Sequence, residues 1–140
     1  HLRKALADRF RFWGHETETA ADGVVALDRA GRQAFDLILL DLAMPGLDGL
    51  EVLDRLRAAD CAAEVVVLTA HGSVEKAVEA VKRGADDFLV LPLRAAEVEA
   101  RTGLRLEAVH QTFALQCFQH AAHRRWWRTD RARNFIKVAV

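Results

Sequence analysis

Three short runs, Leu37-Ile38-Leu39-Leu40, Val65-Val66-Val67-Leu68 and Phe88-Leu89-Val90, are apolar at every position. A strand with one wet face alternates apolar and polar residues. A strand that does not alternate is covered on both faces, which points to a parallel sheet flanked by helices. Helical spacing separates the runs. Gly49, Val52, Leu53 and Leu56 mark one inner face between the first and second, and Val74, Ala77, Val78 and Val81 mark another between the second and third. Gly84 closes that helix and Ser73 can cap its start.

The pattern extends backward. Leu2, Ala5, Leu6, Phe10 and Trp13 recur at helical spacing and Gly14 follows them as a stop signal. Glu16 to Ala20 alternates in character and ends at the turn pair Asp22-Gly23. Gly23, Ala26, Leu27 and Ala30 then form the inner face of a short helix closed by Gly31. A further helix is expected to begin near Ala95, after Pro92. Strands alternating with helices through short connections imply right-handed crossovers and a doubly wound parallel sheet with helices on both faces. In such a sheet the ligand crevice lies outside the carboxyl ends of the strands, where Asp41, Thr69 and Leu91 stand.

Composition sets bounds on this reading. With 140 residues, 51% hydrophobic and 29% charged, the chain can bury a core and is not expected to be disordered. Cys61 and Cys117 form no disulfide framework and no metal or redox spacing, so a reducing, cytoplasmic setting is the expectation. No apolar run is long enough to cross a bilayer. The net charge of zero hides an asymmetry. Residues 111–140 carry 6 Lys+Arg against 1 Asp+Glu, while residues 1–110 carry 14 against 19. This divides the chain into a domain over 1–108 and a basic linker or non-native tail over 109–140.

The segment Leu39-Leu40-Asp41-Leu42-Ala43-Met44-Pro45-Gly46-Leu47-Asp48-Gly49 resembles the phosphoacceptor segment of response-regulator receiver domains. A second block, Val67-Leu68-Thr69-Ala70-His71-Gly72-Ser73 with Gly84-Ala85-Asp86-Asp87-Phe88-Leu89, resembles the receivers of bacterial enhancer-binding transcription activators. The resemblance covers about residues 1–108 and implies a flavodoxin-like sheet. It also implies a phosphoacceptor at Asp41, phosphoryl-oxygen contacts from Thr69 and the Ala70 amide, and a Thr69–Phe88 switch. Mg²⁺ would be held by Asp41 and the Ala43 carbonyl. The implied partners are a sensor histidine kinase, a second copy in a homodimer, and an output domain absent from this chain.

Two departures stand out. The family's Lys before the strand-terminal Pro is Leu91 here, which offers the phosphoryl group neither charge nor donor. The family's first strand and its acidic pair have no counterpart ahead of His1, so the chain reads as N-terminally truncated, with weakened Mg²⁺ binding. The missing strand would lie mid-sheet, between the Glu16–Ala20 and Leu37–Leu40 strands. Phe135-Ile136-Lys137-Val138-Ala139-Val140 is β-prone and is one candidate for the slot.

Other readings compete. Asp41 by itself can open a turn, and Phe88 can be plain core. A pseudo-receiver, a protein-interaction module that does not use phosphorylation, fits Leu91 and the absent acids. An aspartyl phosphatase would need an acid at position 43, which is Ala43. Trp126-Trp127 among Arg124, Arg125, Arg128, Arg131 and Arg133 invites nucleic acid, although no recognised binding motif accompanies them. Cys117, His120 and His123 share helical spacing, but three ligands on one helix rarely converge on a metal.

Overall fold

The structure, a computed structural model, describes residues 2–12, 14–69, 74–90 and 138–139. In chain order the elements are α1 (Leu2–Phe12), β1 (Thr17–Glu18), α2 (Gly23–Arg32), β2 (Leu37–Asp41), α3 (Gly49–Ala58), β3 (Glu64–Thr69), α4 (Val74–Lys82), β4 (Asp87–Val90) and β5 (Val138–Ala139). The strands form one sheet in the order β1-β5-β2-β3-β4, and every pairing is parallel.

β2 and β3 are buried along almost their whole length, as strands without alternation must be. Ile38, Leu40, Val65 and Val67 join Leu50, Val52, Leu53 and Leu56 of α3 and Ala80 of α4 in one cluster. Leu37, Leu39, Val66 and Leu68, also buried, alternate with them along the pleat and so serve the opposite face. α1 buries Leu6, Ala7 and Phe10 and packs along β1.

The helix starts come from local chemistry. Asp22 caps α2 by accepting from the Val25 N–H at 2.9 Å, and Asp48 caps α3 by accepting from the Leu50 N–H at 3.3 Å. The Asp36 carbonyl accepts from the Glu64 N–H at 3.0 Å, opening the β2–β3 ladder.

The structure corrects three local expectations. α2 runs through Gly31 to Arg32, because Gly31 takes a helical conformation there and Gln33 caps the end. β1 spans two residues and not the whole of Glu16–Ala20. Among the described side chains of α4, the buried ones are Ala77 and Ala80, while Val78 and Val81 are each 43% exposed. Small side chains let this helix lie close to β3 and β4, which turns the valines outward.

The slot expected to lack a strand holds β5. Val138 and Ala139 pair with Thr17 and Glu18 on one side and with Leu37 and Ile38 on the other. Ser73, Trp13 and the expected helix near Ala95 lie outside the described residues, as do Trp126, Trp127 and the Cys117, His120 and His123 trio.

A polar knot closes the end of the sheet opposite Asp41. Arg57 on α3 donates to the carbonyls of Gly84 at 2.8 Å, Cys61 at 2.9 Å and Ala63 at 3.1 Å, and to Asp86 Oδ2 at 2.7 Å. The same Oδ2 accepts from the Val65 N–H at 2.8 Å. Truncating Arg57 strands several acceptors at once. Arg57→Ala should therefore lower the unfolding free energy by about 2–3 kcal/mol in urea denaturation. Arg55→Ala, which loses one exposed pair with Glu51, should cost under about 1 kcal/mol.

His15 is half-buried beside the Phe10 ring, with ring centroids 6.1 Å apart, and burial pushes its pKa below the ordinary histidine value. A depressed folded-state pKa means that the unfolded chain binds the proton more readily. Stability from this group is complete above about pH 6.5 and falls as the pH drops toward the folded-state value. A His15→Phe variant should show a shallower loss of denaturation midpoint between about pH 7 and 5.5 than the unmodified chain.

Candidate phosphoacceptor site

Asp41 is the last residue of β2 and Thr69 the last of β3. Asp41 stands opposite Leu68 in register, which brings the two chemical residues to neighbouring strand ends. The ladder continues one step further, with Leu42 N–H donating to Leu68 O at 3.2 Å. The Asp41 side chain is half-buried and Thr69 is 1% exposed. A carboxylate at the sheet's open end is reachable from solvent. The adjacent hydroxyl is held within the packed edge.

Asp41 Oδ1 accepts from the Ala43 N–H at 2.8 Å. This bond fixes the carboxylate's rotation and orders the start of the loop, as Asp does in a turn. The turn-forming role of Asp41 is therefore real, and it is compatible with chemistry because it leaves Oδ2 for another partner. Gly46 completes the loop at φ +83°, a conformation that glycine adopts without strain.

Gly49, read in the sequence as a helix-face position and as the end of the Asp41 segment, proves to pack directly against the backbone of the strand end. A Cβ on it would stand 2.7 Å from the Asp41 carbonyl oxygen and 2.8 Å from Leu42 Cα, both backbone atoms. Only glycine lets the first turn of α3 rest against the end of β2. Its signal was present in the sequence as a glycine directly after a helix-capping Asp.

Phe88 lies on β4 opposite Val67, partly buried against the core cluster, and Val90 stands opposite Thr69. Phe88 thus sits on the strand next to Thr69, two residues back from its level. Ala70 and Leu91 lie outside the described residues.

Asp41, the last residue of β2, brings a carboxylate to this strand end. Among the described residues no group of three or more His, Cys, Asp or Glu could hold a metal ion, and Ala43 is seen turned to Asp41 through its N–H. Mg²⁺ prefers six oxygen ligands, several of them water, anchored by carboxylates. The described residues supply Asp41 without an acidic pair.

A doubly wound parallel sheet with an aspartate and a threonine at adjacent strand ends defines a receiver-type signalling domain. A family model described as response regulator receiver domain matches residues 1–102, and the chain belongs to that family. It is 43% identical over 108 residues to the transcriptional activator protein PfeR of Pseudomonas aeruginosa, covering 77% of this chain and 35% of that protein. The receiver domain of NtrX from Brucella abortus superposes with a TM-score of 0.62 at 34% identity, covering 79% of this chain and 91% of that one. A Burkholderia pseudomallei response regulator, solved with a phosphorylated aspartic acid, calcium ion and citrate, gives 0.59 at 28% identity, covering 83% and 66%. The chain spans about a third or less of the length of PfeR and of the Pseudomonas aeruginosa response regulator protein FleR.

The glycine contacts yield a paired test. Gly49→Ala should lose about 1–3 kcal/mol of stability, because backbone on both sides of the clash must shift. Gly31→Ala, in a helix with nothing within 4 Å, should gain about 0.5–1 kcal/mol. Urea unfolding midpoints of the two variants would check both signs.

Proposed function

We propose that this chain is the phosphoacceptor module of a two-component response regulator, receiving a phosphoryl group on Asp41 from a sensor histidine kinase. The observation that carries this reading is the placement of Asp41 at the open end of β2 beside Thr69 on β3. The phosphorylated aspartate in the Burkholderia pseudomallei relative supports it.

In the proposed step Asp41 Oδ2 attacks the phosphorus of a phosphohistidine. The new O–P bond forms as the N–P bond breaks, and the imidazole leaves with a proton from solvent. The bond from Ala43 N–H to Oδ1 orients the carboxylate for that attack. The Thr69 hydroxyl and the Ala70 amide then hydrogen-bond phosphoryl oxygens. Movement of Thr69 toward the phosphoryl group draws Phe88 inward, which biases the surface made by α4 and β4 toward a partner, a second copy or an output domain. The domain acts on itself and has no other substrate. Its setting is the cytoplasm, in keeping with the described helices, none of which is long and apolar enough to cross a membrane.

A second reading has its own support. Leu91 in place of the family's lysine, and the lack of an acidic cluster among the described residues, favour a pseudo-receiver that binds partners without phosphorylation. The basic stretch from Arg124 to Arg133 supports a third reading, a nucleic-acid contact within the tail.

Intact-mass measurement after incubation with a small-molecule phosphodonor and Mg²⁺ separates the first two readings. The expected result is one added phosphoryl group on the unmodified chain, slowly acquired, and none on Asp41→Asn. No addition, even to a chain extended so that an acidic strand precedes residue 1, would establish the pseudo-receiver.

A further inference from the structure

The loop between β2 and α3 carries the hydrogen bond that orients Asp41, from the Ala43 N–H to Oδ1 at 2.8 Å. At its far end Asp48 is tied to α3, its carbonyl accepting from the Val52 N–H at 3.0 Å and its Oδ1 from the Leu50 N–H at 3.3 Å. Between these ends the loop is held by packing, since Met44 and Leu47 are partly buried against the core cluster. Pro45 restricts its own φ, and Gly46 at φ +83° reverses the chain just ahead of Leu47. Leu47 is thereby turned back onto the domain.

The surface that receives Leu47 is the start of α2. Gly23 is the first residue of that helix and is buried. A Cβ on it would stand 3.2 Å from Leu47 Cβ, 3.4 Å from Leu47 Cδ2 and 2.5 Å from Val52 Cγ2. Val52 is 0% exposed, and a β-branched side chain has little rotamer freedom in a helix. The first turn of α2 is fixed as well, because the Asp22 carboxylate holds the Val25 N–H at 2.9 Å and its carbonyl holds the Ala26 N–H at 3.0 Å. Leu47 therefore rests on a firm spot that bears no side chain of its own.

We propose that Leu47, seated on Gly23, is a positioning residue for Asp41: it sets the path of the loop and so keeps the Ala43 N–H on Oδ1. It acts through the loop backbone and not by touching the carboxylate. The consequence for chemistry rests on the reading of Asp41 as the phosphoacceptor. A carboxylate already turned for attack loses less freedom on reaching the reactive geometry, so displacing Leu47 slows acquisition of the phosphoryl group.

Two readouts on the full chain test it: hydrogen exchange of the Ala43 amide by NMR, and intact-mass time courses with an acyl phosphate and Mg²⁺. Leu47→Ala should speed Ala43 exchange at least about tenfold, because the loop opens locally more often. It should also slow phosphoryl acquisition by about three- to tenfold. Leu47→Met, which keeps the volume, should stay within about twofold of the unmodified chain in both. Gly23→Ala should move both readouts in the same direction as Leu47→Ala, and where it does not fold the two Leu47 variants decide. Leu56, buried in the same cluster in the last turn of α3, controls for stability. Leu56→Val should lower the urea midpoint and leave Ala43 exchange unchanged. Exchange that ignores Leu47→Ala, or that Leu56→Val moves equally, overturns the proposal, as does faster exchange with an unchanged rate of phosphorylation. If the unmodified chain gains no phosphoryl group, the phosphoacceptor reading fails by itself, and the exchange arm alone upholds or overturns the seating of Leu47.

Discussion

A strand covered on both faces has no water to satisfy its backbone, so it must find a hydrogen-bonded neighbour on each edge. β2 is the strand on which this requirement falls hardest, because Leu37 through Leu40 are all nearly inaccessible. Its pairing with β3 is continuous, and its pairing with β5 anchors the other side. The rest of the architecture answers to these edges. α3 lies across one face with Val52 and Leu53 fully buried, and β3 passes the order on to β4. The open end of the sheet is then defined by where β2 and β3 stop. That is how a carboxylate and a hydroxyl far apart in sequence come to neighbouring strand ends.

The site depends on that constraint twice. The register fixes Asp41 opposite Leu68, and the next backbone bond, from Leu42 to Leu68, carries the ladder into the loop before the chain turns. The turn itself is shaped by Asp41 holding the Ala43 N–H and by Asp48 holding the Leu50 N–H, two short-range bonds made by side chains of the loop. Gly49 then lets α3 begin in contact with the backbone of Asp41 and Leu42. Helix, loop and strand end meet within a few ångströms.

The sequence was most informative where one physical demand acts on consecutive residues. Two-faced burial writes itself as unbroken apolar runs, so β2, β3 and β4 were legible with small shifts in their ends. The placement of Asp41 and Thr69 at strand ends was legible because each follows directly on such an apolar run. What was hidden depended on partners distant in the chain. Arg57 reaches Gly84 and Asp86, which are 27 and 29 residues away, and nothing at position 57 announces an anchor for two loops. The face of α4 departs from expectation for a different reason. Hydropathy ranks Val78 and Val81 above Ala80, whereas close packing against β3 rewards the smaller side chain.

The strand at the far end of the chain was legible by composition alone. Phe135 to Val140 is β-prone, but β-propensity says nothing about which edge a strand will join. The choice is made by the sheet. β1 contributes two residues, β2 five, and β5 pairs in parallel with both. Val138 and Ala139 lie opposite Leu37 and Ile38, at the end of β2 away from Asp41.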